Sequence, residues 1–154
     1  MPVNFQYAGD IGLWELPKTA FLCSRKVPAA QVLKCYDWAI AMREAGRCVM
    51  LGAHSQLEKD VLHYLLKGAQ PVVLVLARGL LKRPDPVLQP EIDKGRLLVV
   101  APLGHTVIRV TARTAAARNE FLLAHAQRIV VGHSEAGGSL AAALAEREID
   151  IQRL

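Results

Sequence analysis

No apolar run in the sequence approaches the roughly 20 residues that a membrane-spanning helix requires, so a bilayer-crossing segment is excluded. The first residues, MPVNFQYAGDIGLWELPK, contain neither a basic start nor an apolar stretch. No secretory signal is therefore expected, and the cytoplasm is the expected location. Cysteine is scarce: Cys23, Cys35 and Cys48 are odd in number and form no C-x-x-C pair, against a disulfide framework. The five histidines make no H-x-x-x-H pattern or Cys/His cluster, so no metal is expected. G-x-G-x-x-G after the first strand-like run, a Walker sequence and a G-x-S-x-G elbow are all missing. Their absence removes the usual grounds for a dinucleotide cofactor, a P-loop nucleotidase or a serine hydrolase. Aromatic residues make up only 5%, which limits base stacking as a means of holding nucleic acid.

What is present is a core. Of 154 residues, 52% are hydrophobic and 21% charged, as in a single well-filled domain. Five short apolar runs lack alternation, as strands buried on both faces do: 19–23, 48–51, 71–76, 97–101 and 129–131. Helical segments fall between them. One spans about 29–45, with Val32, Leu33, Tyr36, Ala39 and Ile40 on a stripe and Gly46 as its stop. A second begins at Ser55, which with Glu58 forms a capping-box pattern, and turns Val61, Leu62, Leu65 and Leu66 inward. A third covers about 111–125, and its alanines 115–117 suggest close packing on the sheet; a fourth covers 140–146. The stretch 78–90, with three prolines, reads as a loop holding at most one helical turn. Residues 1–18 read as an irregular lead-in, and 149–151 as an added edge strand.

Strands that all look buried and alternate with helices predict an α/β fold. The expectation is a single Rossmann-like domain over 1–154, a mostly parallel sheet of five or six strands with helices on both faces. Ligands of such sheets bind outside the carboxyl ends of the strands. There the sequence places Ser24-Arg25-Lys26, Gly52-Ala53-His54-Ser55, Arg78-Gly79 and Ser134 to Ser139. Glycines, hydroxyls and cations leading into helix starts suit a phosphate, with Arg25 and Arg78 as forked donors. Gly137 and Gly138, followed by Ser139, permit close backbone approach. Arg118-Asn119, on the third long helix, is placed to turn a guanidinium and an amide toward the same cleft. His54 and Glu58 have bland alternatives as a loop residue and a helix cap. Net charge points the same way: the entire formal excess of +5 lies between Arg78 and Arg128, nine basic residues against four acids.

In order and spacing, these features resemble the DNA-processing protein A (Smf) family. The family's G-S-R after its first strand corresponds to Cys23-Ser24-Arg25-Lys26, and its S-G-x-A-x-G-I-D loop to Leu51-Gly52-Ala53-His54-Ser55-Gln56-Leu57-Glu58. Its R-N-R-I-I-A-x-L-S segment is similar to Arg118 through Ala126, and its S-G-S-L-x-T-A to Gly137 through Ala143. The likeness runs over residues 7–145. Cys23 stands for the family's first glycine and Glu120 for its second arginine, which implies a stand-alone, divergent branch. The resemblance implies single-stranded DNA binding, with Arg25 in the phosphate pocket, and a part in recombination. The same superfamily holds the lysine-decarboxylase-like phosphoribohydrolases. Their P-G-G-x-G-T-x-x-E loop is similar to Gly137-Gly138-Ser139, but here the glutamate is missing, and catalysis is not expected. Two ligand classes stay open: nucleic acid bound without catalysis, and a nucleotide or nucleotide derivative. Dimerisation through an apolar helix face is compatible with either.

Overall fold

Unbroken apolar runs leave no side for water, and each of the five becomes an interior strand. The computed structural model describes residues 3–147 and 150–154. In chain order the central strands are β2 (Thr19–Cys23), β3 (Val49–Leu51), β4 (Val72–Val75), β5 (Leu97–Ala101) and β6 (Arg128–His133). They pair in parallel. Two short strands extend the sheet at its edges: β1 (Gln6–Ala8), antiparallel to β5, and β7 (Ile151–Arg153), parallel to β6. The full order is β1-β5-β4-β3-β2-β6-β7.

The sheet thus has seven strands, one more than the upper expectation, because the lead-in is not irregular throughout. After β1 the chain turns at Gly9, whose φ of 113° brings it so close to Leu97 that a Cβ would lie 2.5 Å from that carbonyl oxygen. A 3-10 helix over Ile11–Glu15 follows. It seats Trp14 against Phe121, ring centroids 5.7 Å apart, and against Phe5 at 5.0 Å. Three residues are too few to show strand periodicity; β1 exists because β5 would otherwise present an open edge. The expected edge strand at 149–151 is found at Ile151–Arg153, and its first residue lies outside the described residues.

Five helices cover the two faces: α1 (Ala29–Glu44), α2 (Gln56–Leu66), α3 (Gln89–Asp93), α4 (Ala112–His125) and α5 (Ser139–Ala145). Phe21, Val49, Leu51, Leu74 and Val130 form one core with Cys35 and Ala39 of α1 and Leu57, Val61, Leu62 and Leu65 of α2. Ala20, Leu22, Met50, Val73, Val75 and Val131 form the other with Leu122 and Leu123 of α4 and Leu140 and Leu144 of α5. The expected stripe on α1 is found at Ala39, buried, and at Val32 and Tyr36, packed against the core; Cys35 joins it, and Leu33 departs from it at 66% exposed. Small side chains on that line let the helix lie close to the sheet, leaving the larger ones at its flanks. No helix among the described residues is long and apolar enough to cross a membrane.

Strands β2 to β5 step outward in sequence order. The chain then returns through α4 to place β6 on the other side of β2. The order reverses at the β2–β6 seam, where an open α/β sheet leaves a crevice above its strand ends.

Candidate functional site

A cleft of about 480 Å³ occupies that crevice. One side comes from the loop after β2. The β2–β6 register shifts between Leu22 and Cys23, and the Ser24 Oγ that follows accepts a 2.8 Å hydrogen bond from the Glu135 backbone N–H, tying together the loops after β2 and β6. Arg25 stands beside it, exposed. Gly138 and Ser139, at the start of α5, complete this wall.

The opposite wall is built on α2 and α4. Ser55 and Glu58 form the reciprocal capping box expected from their spacing. The Ser55 Oγ accepts from the Glu58 N–H at 3.2 Å, and the Glu58 Oε1 accepts from the Ser55 N–H at 3.1 Å. The Glu58 carboxylate is buried, and it lines the cleft while serving as cap. Thr111 and Thr114 cap α4 by the same reciprocal pattern. Side chains therefore occupy the Ser55, Glu58, Thr111 and Thr114 N–H groups at these two helix starts. By contrast, α1 and α5 begin with no side-chain cap.

Arg118 is the unusual residue. Its side chain enters the cleft from α4 with only 4% of its surface exposed. Its Nε donates to the Asn119 Oδ1 at 3.1 Å. Among the described residues, Nη1 and Nη2 have no hydrogen-bond partner and no ion pair, yet they are not sealed from the cavity. Desolvation pushes the guanidinium pKa down, and the negative charge of Glu58 acts against that shift. A buried cation with unfilled donors is a costly arrangement in an empty site and a ready one for an anion.

Gly52 makes room for it. A Cβ at that position would lie 2.2 Å from Arg118 Nη1 and 2.4 Å from Cζ. Its role is thus to admit the arginine rather than to touch a phosphate. Gly52→Ala should displace the guanidinium, cost about 1–3 kcal/mol of stability as overpacking does, and weaken anion binding. Chemical denaturation and ligand titration of that variant test both effects.

The structure brings Ser24, Arg25, His54, Arg118, Asn119, Gly138 and Ser139 to one cavity, with Gly52 and Ser55 directly behind its wall. Lys26 is exposed next to Arg25 but off the wall, and Gly137, at φ 76°, shapes the turn before α5. Arg78 lines a neighbouring cavity. The alanines of α4 do not pack on the sheet as expected: Ala115 and Ala116 line the cleft, where small side chains keep it open. Glu135 was not singled out in the sequence, and no motif marks it. Charge in the cleft is balanced, two arginines against Glu58 and Glu135. Lys26, Arg109 and Arg113 are exposed and adjacent in sequence to lining residues, as is Glu120, whose carboxylate pairs with Arg147.

No family model matches the chain, and no curated protein is similar to it in sequence. Solved structures do match. DNA processing protein A from Streptococcus pneumoniae aligns with a TM-score of 0.72 and 18% identity, over 96% of this chain and 53% of that one. DNA processing protein A from Helicobacter pylori, studied for its single-stranded DNA binding mode, aligns with a TM-score of 0.70 and 14% identity, over 90% of this chain and 64% of that one. The Moco carrier protein from Chlamydomonas reinhardtii aligns at 0.51 and 10%, over 89% and 88%. The chain spans between about half and two thirds of the two DNA processing proteins it matches. At these identities the shared property is the Rossmann-like fold, the one that the sequence resemblance implied.

Proposed function

We propose that this protein binds single-stranded nucleic acid, without catalysis, by taking a backbone phosphate into the cleft at the β2–β6 seam. The observation that carries this reading is Arg118: an arginine only 4% exposed, with two nitrogens unpaired among the described residues, lining a cavity at the C-terminal strand ends of the sheet. Arg25 supplies a second, exposed donor, and Ser24 and Ser139 contribute hydroxyls. The exposed cations of Lys26, Arg109 and Arg113 hold the strand outside. The DNA processing protein A structures support the reading by sharing the fold, and a role in DNA processing or recombination is proposed with it.

Because the cleft itself is charge-balanced, few phosphates are neutralised. Each contact to a single strand contributes about −0.7 to the slope of log affinity against log salt. Fluorescence anisotropy with a labelled oligothymidylate should therefore give a measurable but shallow slope. Arg25→Ala should make it shallower by about 0.7 while weakening binding several-fold. Absence of salt-dependent binding at low ionic strength would exclude the proposal.

The enclosed size of the cleft favours a second reading, binding of a free nucleotide. At about 480 Å³ it lies within the 300–1,000 Å³ span typical of small-molecule sites. Saturable binding of a mononucleotide, with no gain on lengthening to an oligonucleotide, would favour that reading over the first.

A further inference from the structure

Beside the cleft lies a second cavity of about 480 Å³, set between α2 and the 78–88 loop. Its wall is more apolar: Leu62, Leu66, Leu76, Leu81 and Val87 supply most of it, with Lys59, His63, Arg78 and Asp85 adding polar groups. The two cavities have three wall residues in common, His54, Val110 and Arg118. Arg118 is therefore a partition whose guanidinium borders a polar chamber on one side and an apolar one on the other.

Three of the large apolar side chains that this protein leaves exposed border the second cavity: Leu81 at 45%, Val87 at 69% and Val110 at 37%. Single exposed aliphatic residues need no explanation. Their gathering at the lip of one apolar cavity is the pattern of a surface that a ligand covers. A chamber with convergent polar groups joined to one of hydrocarbon also matches the two ends of a nucleotide, a charged phosphoryl group and a flat, weakly polar ring. The plane of a guanidinium stacks favourably on such a ring.

We infer that the apolar cavity receives the base of a nucleoside phosphate whose phosphoryl group occupies the cleft, with Arg118 between the two. This inference rests on the reading of the cleft as a phosphate site and adds that binding depends on the base. Among the described residues no Phe, Tyr or Trp lines the cavity; aliphatic side chains, the arginine plane and the His54 and His63 imidazoles enclose the ring. The nucleoside phosphate comes either as a free nucleotide or as one unit of a strand.

The test uses the full chain and compares oligothymidylate with an abasic strand of equal length, and dAMP with 2-deoxyribose 5-phosphate. In each pair the phosphates are the same and only the base differs. The base-bearing ligand should bind more tightly by about ten-fold, the usual scale for one well-held base. Leu81→Asn and Val87→Asn, at positions 45% and 69% exposed, add no charge beside the phosphate site and should bring the base-bearing ligand down to the level of its abasic partner. The abasic affinity itself should not change. Base dependence in the dAMP pair identifies a free nucleotide as sufficient; base dependence in the strand pair alone identifies the strand. Equal binding of base-bearing and abasic ligands overturns this inference and leaves the phosphate site standing. Failure of all four to bind overturns both.

Discussion

Arg118→Met is expected to raise the melting temperature while removing ligand binding. The direction follows from what surrounds the side chain. Its charge is buried, its pKa is pushed down chiefly by desolvation, and among the described residues its side chain's only hydrogen bond is from Nε to Asn119. A methionine of similar length fills the same space without a charge to strip of water. Replacing poorly compensated buried charge with apolar side chains commonly stabilises proteins by about 1–4 kcal/mol. Taking the low end, about 1 kcal/mol, the transition should move up by about 2–4 °C in a domain of this size. Glu58 keeps its bonds from the Ser55 N–H and Oγ, so it is not left without partners. Binding behaves oppositely. Two charge-assisted bonds at about 1.5–3 kcal/mol each are lost, which is at least about a hundred-fold in affinity. Thermal denaturation and oligonucleotide titration of the one variant give both signs. A variant that melts lower and binds normally would make Arg118 a structural residue and remove the basis of the proposed site.

Arg96→Met should have the opposite outcome, a large loss of stability with binding intact in the protein that remains folded. Arg96 is buried at the far end of α2, away from the cleft. Its Nε and Nη2 donate to the Gln70 carbonyl at 2.9 and 2.6 Å, Nη1 to Leu66 at 3.0 Å and Nη2 again to Leu65 at 3.1 Å. These include carbonyls that the last turn of a helix cannot satisfy for itself. Glu91 lies 3.6 Å away and offsets the charge. Removing the arginine takes away side-chain donors from the Gln70 and Leu66 carbonyls, while Leu65 keeps the Gly68 N–H and Gln70 Nε2 and Glu91 keeps Lys94. The cost should be about 3–5 kcal/mol. Urea unfolding should show a lower midpoint with an unchanged slope, because the surface exposed on unfolding is the same. Arg96→Lys should recover only part, since an ammonium cannot reproduce the fork. A loss below about 1 kcal/mol would show that water satisfies these carbonyls.

The two arginines mark the boundary of what the sequence makes legible. Both belong to the basic stretch from Arg78 to Arg128, and both are buried, one capping a helix and one lining a cavity. Charge counted along the chain treats them as surface. Only the folded structure separates their roles: Arg96 reaches the carbonyls at the end of α2, and Arg118 enters the cleft at the strand ends. The strands were legible because an unbroken apolar run has a single physical meaning in an α/β chain. The start of α2 was legible because a capping box is a local device, complete within Ser55 to Glu58. β1 had no such signal; its pairing depends on an edge ninety residues away in sequence. For the site, the rule that ligands bind at strand ends was enough to collect Ser24, Arg25, His54, Gly138 and Ser139 around one cavity, with Arg118 and Asn119 from the α4 segment. It could not reveal the apolar chamber, whose walls come from α2, the 78–88 loop and Val110 and carry no sequence pattern in common.

The seam between β2 and β6 also sets when the protein acquires its cleft. Thr19 pairs with Arg128 and Phe21 with Val130, so neighbouring strands come from distant parts of the chain. Closing a loop of that length is entropically expensive before any contact rewards it, and topologies rich in such contacts fold slowly. Strands β2 to β5 are laid down in order and pair as nearest neighbours. A chain emerging from synthesis can therefore assemble four strands and α1 and α2 while one flank of β2 stays bare. That flank remains an open strand edge until residues 128–133 arrive. Binding at the cleft, as proposed, is therefore expected only once β6 has docked on β2 and closed that long loop.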